Sequence, residues 1–258
     1  TTFMMRPACA ALARAATSVL ARRTSTLAAH VPSVDICLAR GTAPVPVRNI
    51  YCIGRNYAEH ARELGNAVPT EEPVIFMKSS ASLRGLDAAA LAFADETFHY
   101  EMELVLLVGT HVPLGVLSSD EQPLRCLQAA GLGLDLTRRG KQSALKEAGL
   151  PWTVSKSFAG SAIVSPLLTL DGTFCVGDVS FELSINGKIR QSGHVNQMIF
   201  DVPAQLRYLN ELAPLLPGDL LFTGTPEGVG EIRQGDEFAM RFLTGPSGRR
   251  AGPYRGVL

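Results

Sequence analysis

Short apolar runs separated by polar turns fill the chain from about residue 48 onwards, and most have the length of a β-strand. Residues 50–53 and 74–77 are apolar throughout, which predicts two short buried strands. Residues 100–108 begin with polar side chains on one face and become apolar on both. This pattern predicts a strand whose second half is deeply buried.

A β-hairpin is predicted further along the chain. Residues 181–185 alternate apolar and polar side chains up to Asn186-Gly187, and the apolar pattern resumes beyond them. Asn-Gly favours the tight turn that joins two antiparallel strands. Another strand is predicted over residues 220–223, just before a glycine-rich turn.

Helix-like segments are fewer. Residues 58–64 follow Asn56, a residue suited to cap a helix N-terminus. Residues 138–148 have helical character and end at Gly149, a residue that commonly stops a helix. Along the sequence, the first of these helices precedes the strand at residues 100–108 and the second follows it.

Two further helices are predicted from capping residues. Ser119 or Asp120 can cap a helix that runs towards Ala130. Asp201 can cap another, whose apolar residues share one face, namely Val202, Leu206, Leu209 and Leu212. A separate short apolar segment spans residues 132–136.

The order of these elements indicates the fold class. Strands and helices do not alternate in the regular βαβ rhythm of a doubly wound sheet. We therefore predict a mixed α+β, strand-dominated fold with a few flanking helices. A single catalytic domain is predicted over residues 48–258, since a chain of 258 residues can bury one sizeable core.

The first 34 residues differ in composition from the rest. They carry four arginines among many Ala, Ser and Thr residues, and no acidic residue precedes Asp35. This composition is typical of a mitochondrial targeting leader, and the alternative is a disordered or irregular extension. A location in the mitochondrial matrix follows from the first interpretation. No other uncharged apolar run approaches the length of about 20 residues that spans a bilayer.

Overall charge excludes some classes of partner. The 24 basic and 24 acidic side chains cancel, so the chain has no net field to hold nucleic acid or an anionic membrane. A small-molecule substrate is the better expectation. The five cysteines form no C-x-x-C pair, which is consistent with a reducing compartment.

Three acidic residues are candidates for a metal site. Glu101 and Glu103 stand two apart on a predicted strand, so their carboxylates share a face, and Asp135 lies between leucines. Oxygen ligands favour a hard divalent ion, Mg²⁺ or Mn²⁺. The alternative is that the glutamates pair with Lys or Arg on a solvated strand face while Asp135 caps a helix.

Other candidate groups are less specific. His60 and Glu63 are three apart on a predicted helix, so the carboxylate can orient the imidazole as a general base, although ordinary surface pairs have the same spacing. Lys156 lies among apolar neighbours and can stabilise an enolate or protonate carbon, or else extend to the surface. The turn at residues 223–228 suits a carboxylate ligand or is a plain loop.

Read together, these segments resemble the fumarylacetoacetate hydrolase superfamily. The likeness extends from Ile50 to about Phe242, and the motifs that carry it occur in the family's order and spacing. They are residues 54–60 (GRNYAEH), 99–104 (HYEMEL), 133–137 (GLDLT), 152–158 (WTVSKSF), 186–187 (NG) and 223–230 (TGTPEGVG). The leader and the short catalytic domain are most similar to the mitochondrial acylpyruvase and oxaloacetate decarboxylase branch.

The resemblance implies a fold and a set of residue roles. It implies a fumarylacetoacetate-hydrolase-type β-roll or sandwich that forms a homodimer and binds Mg²⁺, with Mn²⁺ possible. By the resemblance the metal ligands are Glu101, Glu103 and Asp135. The catalytic residues it implies are His60, Glu63, Lys156 and Gln142, the first two on a lid over the substrate. Those it implies for substrate binding are Arg55, Lys78, Arg139 and Thr225.

The implied activity is Mg²⁺-dependent hydrolysis of acylpyruvates to pyruvate and a carboxylic acid, decarboxylation of oxaloacetate to pyruvate, or both. One alternative is a keto–enol tautomerase of the same superfamily. Another is a non-catalytic metal-binding scaffold. The chain departs from the usual family pattern at Ser79, where proline often follows the lysine, and at Gly140, where an acid is common; both positions bear on substrate preference.

Overall fold

β-Strands dominate the computed structural model, which describes residues 31–37, 41–86, 97–118, 123–170, 176–246, 248 and 250–258. In chain order the strands are β1 (Ser33–Cys37), β2 (Thr42–Pro46), β3 (Ile50–Gly54), β4 (Val74–Lys78), β5 (Leu83–Arg84), β6 (Phe98–Tyr100), β7 (Met102–Val108), β8 (Leu127–Asp135), β9 (Ala162–Val164), β10 (Leu167–Thr169), β11 (Ser180–Ile185), β12 (Lys188–His194), β13 (Leu220–Phe222), β14 (Gly230–Ile232), β15 (Glu237–Thr244) and β16 (Ala251–Val257). The helices are α1 (Ala58–Glu63), α2 (Arg139–Glu147), α3 (Thr153–Lys156) and α4 (Val202–Leu212). The mixed, strand-dominated fold class is confirmed.

The described strands form one large sheet and two smaller ones. The large sheet has the order β2-β1-β10-β8-β7-β13-β3-β4, and β9 pairs with both β8 and β5. A second sheet has the order β12-β11-β15-β16, and β14 pairs with β6. The predicted hairpin is confirmed as β11 and β12, with Asn186 and Gly187 both at positive φ in the turn, as such a turn requires.

The centre of the large sheet is an antiparallel pair, β7 and β8. Their register runs from Met102 opposite Leu134 to Val108 opposite Leu127. Every residue of β7 is buried, and β8 is buried except at one position. Strands that are apolar on both faces are expected in such a central position. One end of this rigid pair supports the candidate site.

The strand predicted over residues 100–108 is interrupted at Glu101. Residues before it belong to β6, which pairs with β14, whereas residues after it belong to β7 in the large sheet. The chain therefore changes its pairing partner at Glu101. The Glu101 carbonyl still accepts a hydrogen bond from the Asp135 amide, at 2.8 Å, which holds the break against the end of β8.

The helix predicted from residue 119 or 120 towards Ala130 is wrong. The proposed caps, Ser119 and Asp120, lie outside the described residues. Pro123–Cys126 forms a short 3₁₀ turn, and Leu127–Asp135 is a strand that includes the apolar segment predicted separately at residues 132–136. The segment is strand because it lies between β7 and β10 and is apolar on both faces.

The predicted cap at Asn56 is also wrong. Tyr57 occupies the N-cap position of α1. Asn56 instead joins distant segments: its side-chain amide donates to the carbonyl oxygens of Phe200 and Thr223, and its oxygen accepts from the Phe200 amide. These bonds fix the start of α1 next to the strand end at Thr223.

The cap predicted at Asp201 is confirmed, because its carboxylate accepts a hydrogen bond from the Ala204 amide at 2.8 Å. We expect Asp201→Ala to lower the free energy of unfolding by about 1 kcal/mol, measured by urea denaturation. Asp201→Asn keeps an oxygen acceptor and is the control. A loss of equal size in both variants would contradict the capping role.

The compact unit extends from Pro32 to Leu258. It therefore includes β1 and β2, which precede residue 48 and lie at one edge of the large sheet. Of the helices that the structure describes, none is both long and apolar enough to cross a membrane.

Candidate active site

Three carboxylates converge at the end of the β7–β8 pair. Glu101 lies at the break between β6 and β7, Glu103 is the second residue of β7, and Asp135 is the last residue of β8. One oxygen from each lies within 4.8 Å of the others, and all three residues are buried. The antiparallel register brings the start of β7 beside the end of β8, so residues far apart in sequence meet.

Three cationic side chains surround this carboxylate triad. The Lys156 ammonium lies 2.6 Å from Glu101 Oε2 and 2.6 Å from Asp135 Oδ2, and it donates to Thr137 Oγ1 at 2.8 Å. The Arg139 guanidinium pairs with Glu101 Oε1. The alternative interpretation of a solvated strand face is therefore wrong, since the residues are buried, although Glu101 does pair with Lys156 and Arg139.

Lys78 lies beside the Asp135 oxygen that Lys156 does not contact. Its Nζ is 2.7 Å from Asp135 Oδ1, but the direction does not suit a hydrogen bond, so that oxygen accepts none. The Lys78 ammonium instead donates to the Lys156 carbonyl and to Ser161 Oγ. Asp135 Oδ1 therefore has the Lys78 charge beside it but accepts no hydrogen bond, so its lone pairs are available to a metal ion.

Electrostatics differ between the two glutamates. Burial and the neighbouring charges of Asp135 and Glu101 raise the pKa of Glu103 well above its usual range. Burial also opposes ionisation of Glu101, but Lys156 and Arg139 outweigh it and hold the pKa of Glu101 well below its usual range. A divalent cation beside Glu103 would therefore relieve a real repulsion.

The Gly224 amide fixes Glu103. It donates to Glu103 Oε2 at 2.7 Å. Gly224 has a φ of +101°, and a Cβ at this position would come within 2.6 Å of Asn56 Cβ. Glycine is required here for both reasons, and its conformation turns the amide towards the carboxylate.

The triad fits a hard divalent metal ion. Its donors are all oxygens, which suit Mg²⁺ or Mn²⁺. The carboxylates converge within 4.8 Å, and Asp135 Oδ1 has no hydrogen bond. Both observations match what a bound cation needs.

His60 and Glu63 lie together on α1. His60 is buried, and its Nδ1 is 3.6 Å from Glu63 Oε2. The Glu63 carboxylate is held at both oxygens by the Gly228 amide, at 3.2 Å. Burial lowers the pKa of His60, so the imidazole is neutral at neutral pH. A neutral histidine beside an oriented carboxylate is suited to accept a proton.

A small pocket is lined by His60 and Glu101, whereas Glu63, Glu103 and Asp135 are not part of its lining. Its volume of about 20 Å³ is enough for little more than one water molecule, so side chains at its mouth must move when a larger molecule enters. Its lining consists of Gly54, Arg55, His60, Leu64, Asn66, Phe76, Glu101, Arg139, Gln142, Lys146, Trp152 and Lys156. Larger pockets elsewhere do not contain the carboxylates.

Of the remaining predicted residues, two line the pocket and two do not. Arg55 and Gln142 line the pocket, and Gln142 accepts a hydrogen bond from Arg139 at 2.6 Å. Lys78 lies behind Asp135. Thr225 donates to the Met102 carbonyl and accepts from Gln191, so its hydroxyl is engaged inside the protein. Direct substrate contact by these last two residues stays a prediction.

Three contributions were not predicted from the sequence. The Gly224 amide holds Glu103, the Thr137 hydroxyl accepts from Lys156, and Lys146 lines the pocket together with Trp152. Two of them have a signal in the sequence. Gly224 lies in the turn at residues 223–228, whose backbone amides suit a carboxylate, and Lys146 follows Gln142 by four residues on the same helix.

Comparison with known proteins agrees with this arrangement. Residues 49–250 match the family model for the fumarylacetoacetate (FAA) hydrolase C-terminal domain. The chain belongs to this family. The match covers most of the chain, including every residue of the site, and the resemblance recognised from the motifs is therefore confirmed.

Individual relatives of this family member carry enzymatic names. The chain is 37% identical over 190 residues to an oxaloacetate decarboxylase, mitochondrial, of Dictyostelium discoideum, covering 73% of this chain and 85% of the relative. It is 36% identical over 191 residues to an oxaloacetate tautomerase, mitochondrial, of Bos taurus, covering 74% and 85%.

A solved structure extends the comparison to metal binding. The fumarylpyruvate hydrolase of Pseudomonas aeruginosa, in complex with Mn²⁺ and pyruvate, has a TM-score of 0.74 and 33% identity, covering 83% of this chain and 93% of that one. Enzymes of the family thus bind a divalent metal, and this chain carries a Glu-Glu-Asp group that fits one.

Proposed function

We propose that the protein is a divalent-metal-dependent enzyme that breaks a carbon–carbon bond in small 2-oxo acids. Its substrates are acylpyruvates, which it hydrolyses to pyruvate and a carboxylic acid, oxaloacetate, which it decarboxylates to pyruvate, or both. The observation that carries the proposal is the convergence of three buried carboxylates beside a pocket that holds a neutral histidine and several cations.

The metal ligands in this proposal are Glu101, Glu103 and Asp135, with Mg²⁺ as the ion and Mn²⁺ as a substitute. Bound there, the ion supplies Lewis acidity that polarises the 2-oxo carbonyl of the substrate. The protein contributes the fixed positions of the three carboxylates, which rest on the β7–β8 register and on the Gly224 amide.

His60 is the general base for hydrolysis. It accepts a proton from water, so that hydroxide adds to the distal carbonyl of the acylpyruvate and the carbon–carbon bond breaks. Glu63, 3.6 Å from His60 Nδ1, orients the imidazole and stabilises the imidazolium that forms. Decarboxylation of oxaloacetate needs no attacking water, so it does not need this base.

Lys156 and Arg139 supply positive charge where the substrate becomes more negative. The carboxylates of Asp135 and Glu101 outweigh burial and raise the pKa of Lys156, so its ammonium is charged and stabilises or protonates the enolate that both reactions leave. Arg139 and Gln142 contact each other and, with Arg55, supply polar groups around the substrate. Lys78 and Thr225 hold its carboxylate end.

A keto–enol tautomerase acting on oxaloacetate is the second candidate, favoured by the Bos taurus relative of that name. The same base and cations can move a proton without breaking a carbon bond. Product analysis by NMR separates the candidates: cleavage gives pyruvate, whereas tautomerisation only speeds exchange between the keto and enol forms. Accelerated exchange without pyruvate from oxaloacetate or acetylpyruvate would overturn the cleavage proposal.

Metal dependence is tested on the same substrates. We expect pyruvate release from acetylpyruvate to fall to background after treatment with a chelator, and to return on addition of Mg²⁺ or Mn²⁺ but not of Na⁺. Turnover that persists in metal-free protein would count against the proposed site. Absence of turnover with every 2-oxo acid would favour a non-catalytic scaffold.

A mitochondrial matrix location and a homodimeric state are part of the proposal. The basic, acid-free composition of residues 1–34 supports the location, as do the relatives from Dictyostelium discoideum and Bos taurus, whereas the relative from Pseudomonas aeruginosa is bacterial. Cell imaging of the full chain fused at its C-terminus to a fluorescent protein tests the location, and light scattering tests the dimer.

A further inference from the structure

Lys146 belongs to a polar face of α2 that points into the pocket. Arg139, Gln142 and Lys146 follow one another at intervals of three and four residues, which places them along one face of a helix, and all three line the pocket. Arg139 contacts both Gln142 and Glu101. Lys146 lies one turn further along, and the chemistry proposed above leaves it without a role.

An aromatic wall stands beside Lys146. Its Nζ is 5.1 Å from the centre of the Trp152 ring, and the Arg55 guanidinium carbon is 5.8 Å from the same ring. Phe76 lies against Trp152 with a centroid separation of 6.2 Å. Lys146 and Arg55 therefore share the Trp152 ring, while Lys156 lies 4.9 Å from the centre of the neighbouring Phe76 ring.

Neither cation has a carboxylate partner among the residues that the structure describes. Arg55 Nε is buried without a hydrogen-bond partner. Within the described part of the chain, the Lys146 ammonium has one hydrogen bond, to Asn66 Oδ1 at 3.5 Å, which is the outer limit of such a bond. The one acid that lines the pocket, Glu101, is already paired with Arg139 and Lys156.

The neighbouring positive charges change the pKa of Lys146. Burial, together with the charges of Arg55 and Arg139, lowers the pKa of Lys146 to about 8. An anion bound between Lys146 and Arg55 would relieve this repulsion, and a carboxylate has the size and the planar shape to meet a guanidinium.

We propose that Lys146, together with Arg55, binds the distal carboxylate of a dicarboxylic 2-oxo acid against the face of Trp152, so that the site prefers dicarboxylic to monocarboxylic substrates. This proposal rests on the proposed function, because the 2-oxo end of the substrate must lie at the carboxylate triad. Lys146 is then a residue that determines specificity.

Trp152 provides a direct readout, because it is the only tryptophan in the sequence. The probes are 2-oxoglutarate and 2-oxopentanoate, which share a chain length and differ in a distal carboxylate against a methyl group. Neither has the 4-oxo group that hydrolysis requires, nor a carboxylate β to the keto group that could leave as CO₂. Titration of each in Mg²⁺ buffer, followed by Trp152 fluorescence, gives two dissociation constants whose ratio measures the distal preference.

We expect the full chain to bind 2-oxoglutarate about tenfold more tightly than 2-oxopentanoate, since one charge-assisted contact is worth at least that factor. In Lys146→Met the ratio falls to less than about twofold, because the affinity for 2-oxoglutarate drops while that for 2-oxopentanoate stays. Lys146→Arg keeps the charge and keeps most of the preference. Lys141→Met, an exposed lysine on the same helix, is the matched control and changes neither constant.

Other results overturn the proposal. In the unmodified chain, the contradicting results are equal dissociation constants for the two probes, or no binding of either probe. In Lys146→Met, they are an unchanged ratio of the two dissociation constants, or an equal loss of affinity for both probes. Thermal unfolding of each variant shows whether the fold is kept, and Lys146→Arg decides the matter if Lys146→Met unfolds. Pyruvate release from acetylpyruvate by the unmodified chain, measured separately, tests the proposed function alone.

Discussion

Replacing Glu103 by glutamine is expected to lower pyruvate release from both acetylpyruvate and oxaloacetate by about a thousandfold. The substitution removes one negative charge from the triad and so weakens its hold on the metal. Glutamine keeps an oxygen that can accept from the Gly224 amide, 2.7 Å away in the unmodified chain. No cationic side chain of the described residues pairs with Glu103, so none loses its partner.

Glu182→Gln is the matched control for this variant. Glu182 is a buried glutamate on β11 that pairs with Arg241 on the neighbouring strand β15. Both strands belong to the sheet β12-β11-β15-β16 and not to the large sheet that carries Glu103 and Asp135. We expect its activity to stay within about twofold of the unmodified protein, since a half-exposed ion pair contributes little. Equal losses in the two variants, or full activity in Glu103→Gln with its fold intact, would contradict the role of Glu103.

Replacing His60 by alanine is expected to separate the two reactions. Acylpyruvate hydrolysis loses its general base and falls by about a thousandfold, within the usual range for such a group. Oxaloacetate decarboxylation, which consumes no water, falls by less than about tenfold. Initial rates of pyruvate formation from the two substrates, with the same protein and Mg²⁺, measure both losses.

The matched control for His60 is His194, an intermediate-exposure histidine whose Nδ1 accepts from the Asn196 amide at the end of β12. His194→Ala is expected to change both rates by less than about twofold. If His60→Ala reduced hydrolysis and decarboxylation equally, the imidazole would serve substrate binding or structure, and the division between the two reactions would be lost.

The carboxylate triad is the part of the site that the residue pattern predicts best. Two glutamates two apart, and an aspartate within an apolar run, already suggested a buried oxygen site. The pattern could not decide between a metal site and a solvated strand face, because that choice depends on burial. The structure shows that the three carboxylates are buried, and a related structure solved with Mn²⁺ adds that a divalent metal binds in this family.

The errors at Glu101 and at residues 127–130 have one cause. Whether a short apolar segment becomes helix or strand depends on the strands beside it, and β8 is a strand because β7 and β10 flank it. In the same way β6 leaves the large sheet because β14, far along the chain, pairs with it. Local periodicity carries no information about such distant partners.

A second limit of prediction from the sequence concerns residues whose partners are distant in the chain, as at Asn56, Gly224 and Lys146. A capping side chain, a glycine turn and a helical lysine each have common local interpretations, and each has a hydrogen-bond partner 80 or more residues away in the chain. Asn56 caps no helix because it bonds the backbone at Phe200 and Thr223. Such roles become visible only when the tertiary contacts are known.

The most direct test of the account is to count the metal ions that the triad holds. Mn²⁺ is titrated into metal-free protein and the free ion is followed by electron paramagnetic resonance. We expect about one Mn²⁺ per chain, displaced by Mg²⁺, and an affinity at least about tenfold weaker in Glu103→Gln, as the loss of one charged ligand implies. Binding that is unchanged in Glu103→Gln, or absent from the unmodified chain, would contradict the central claim.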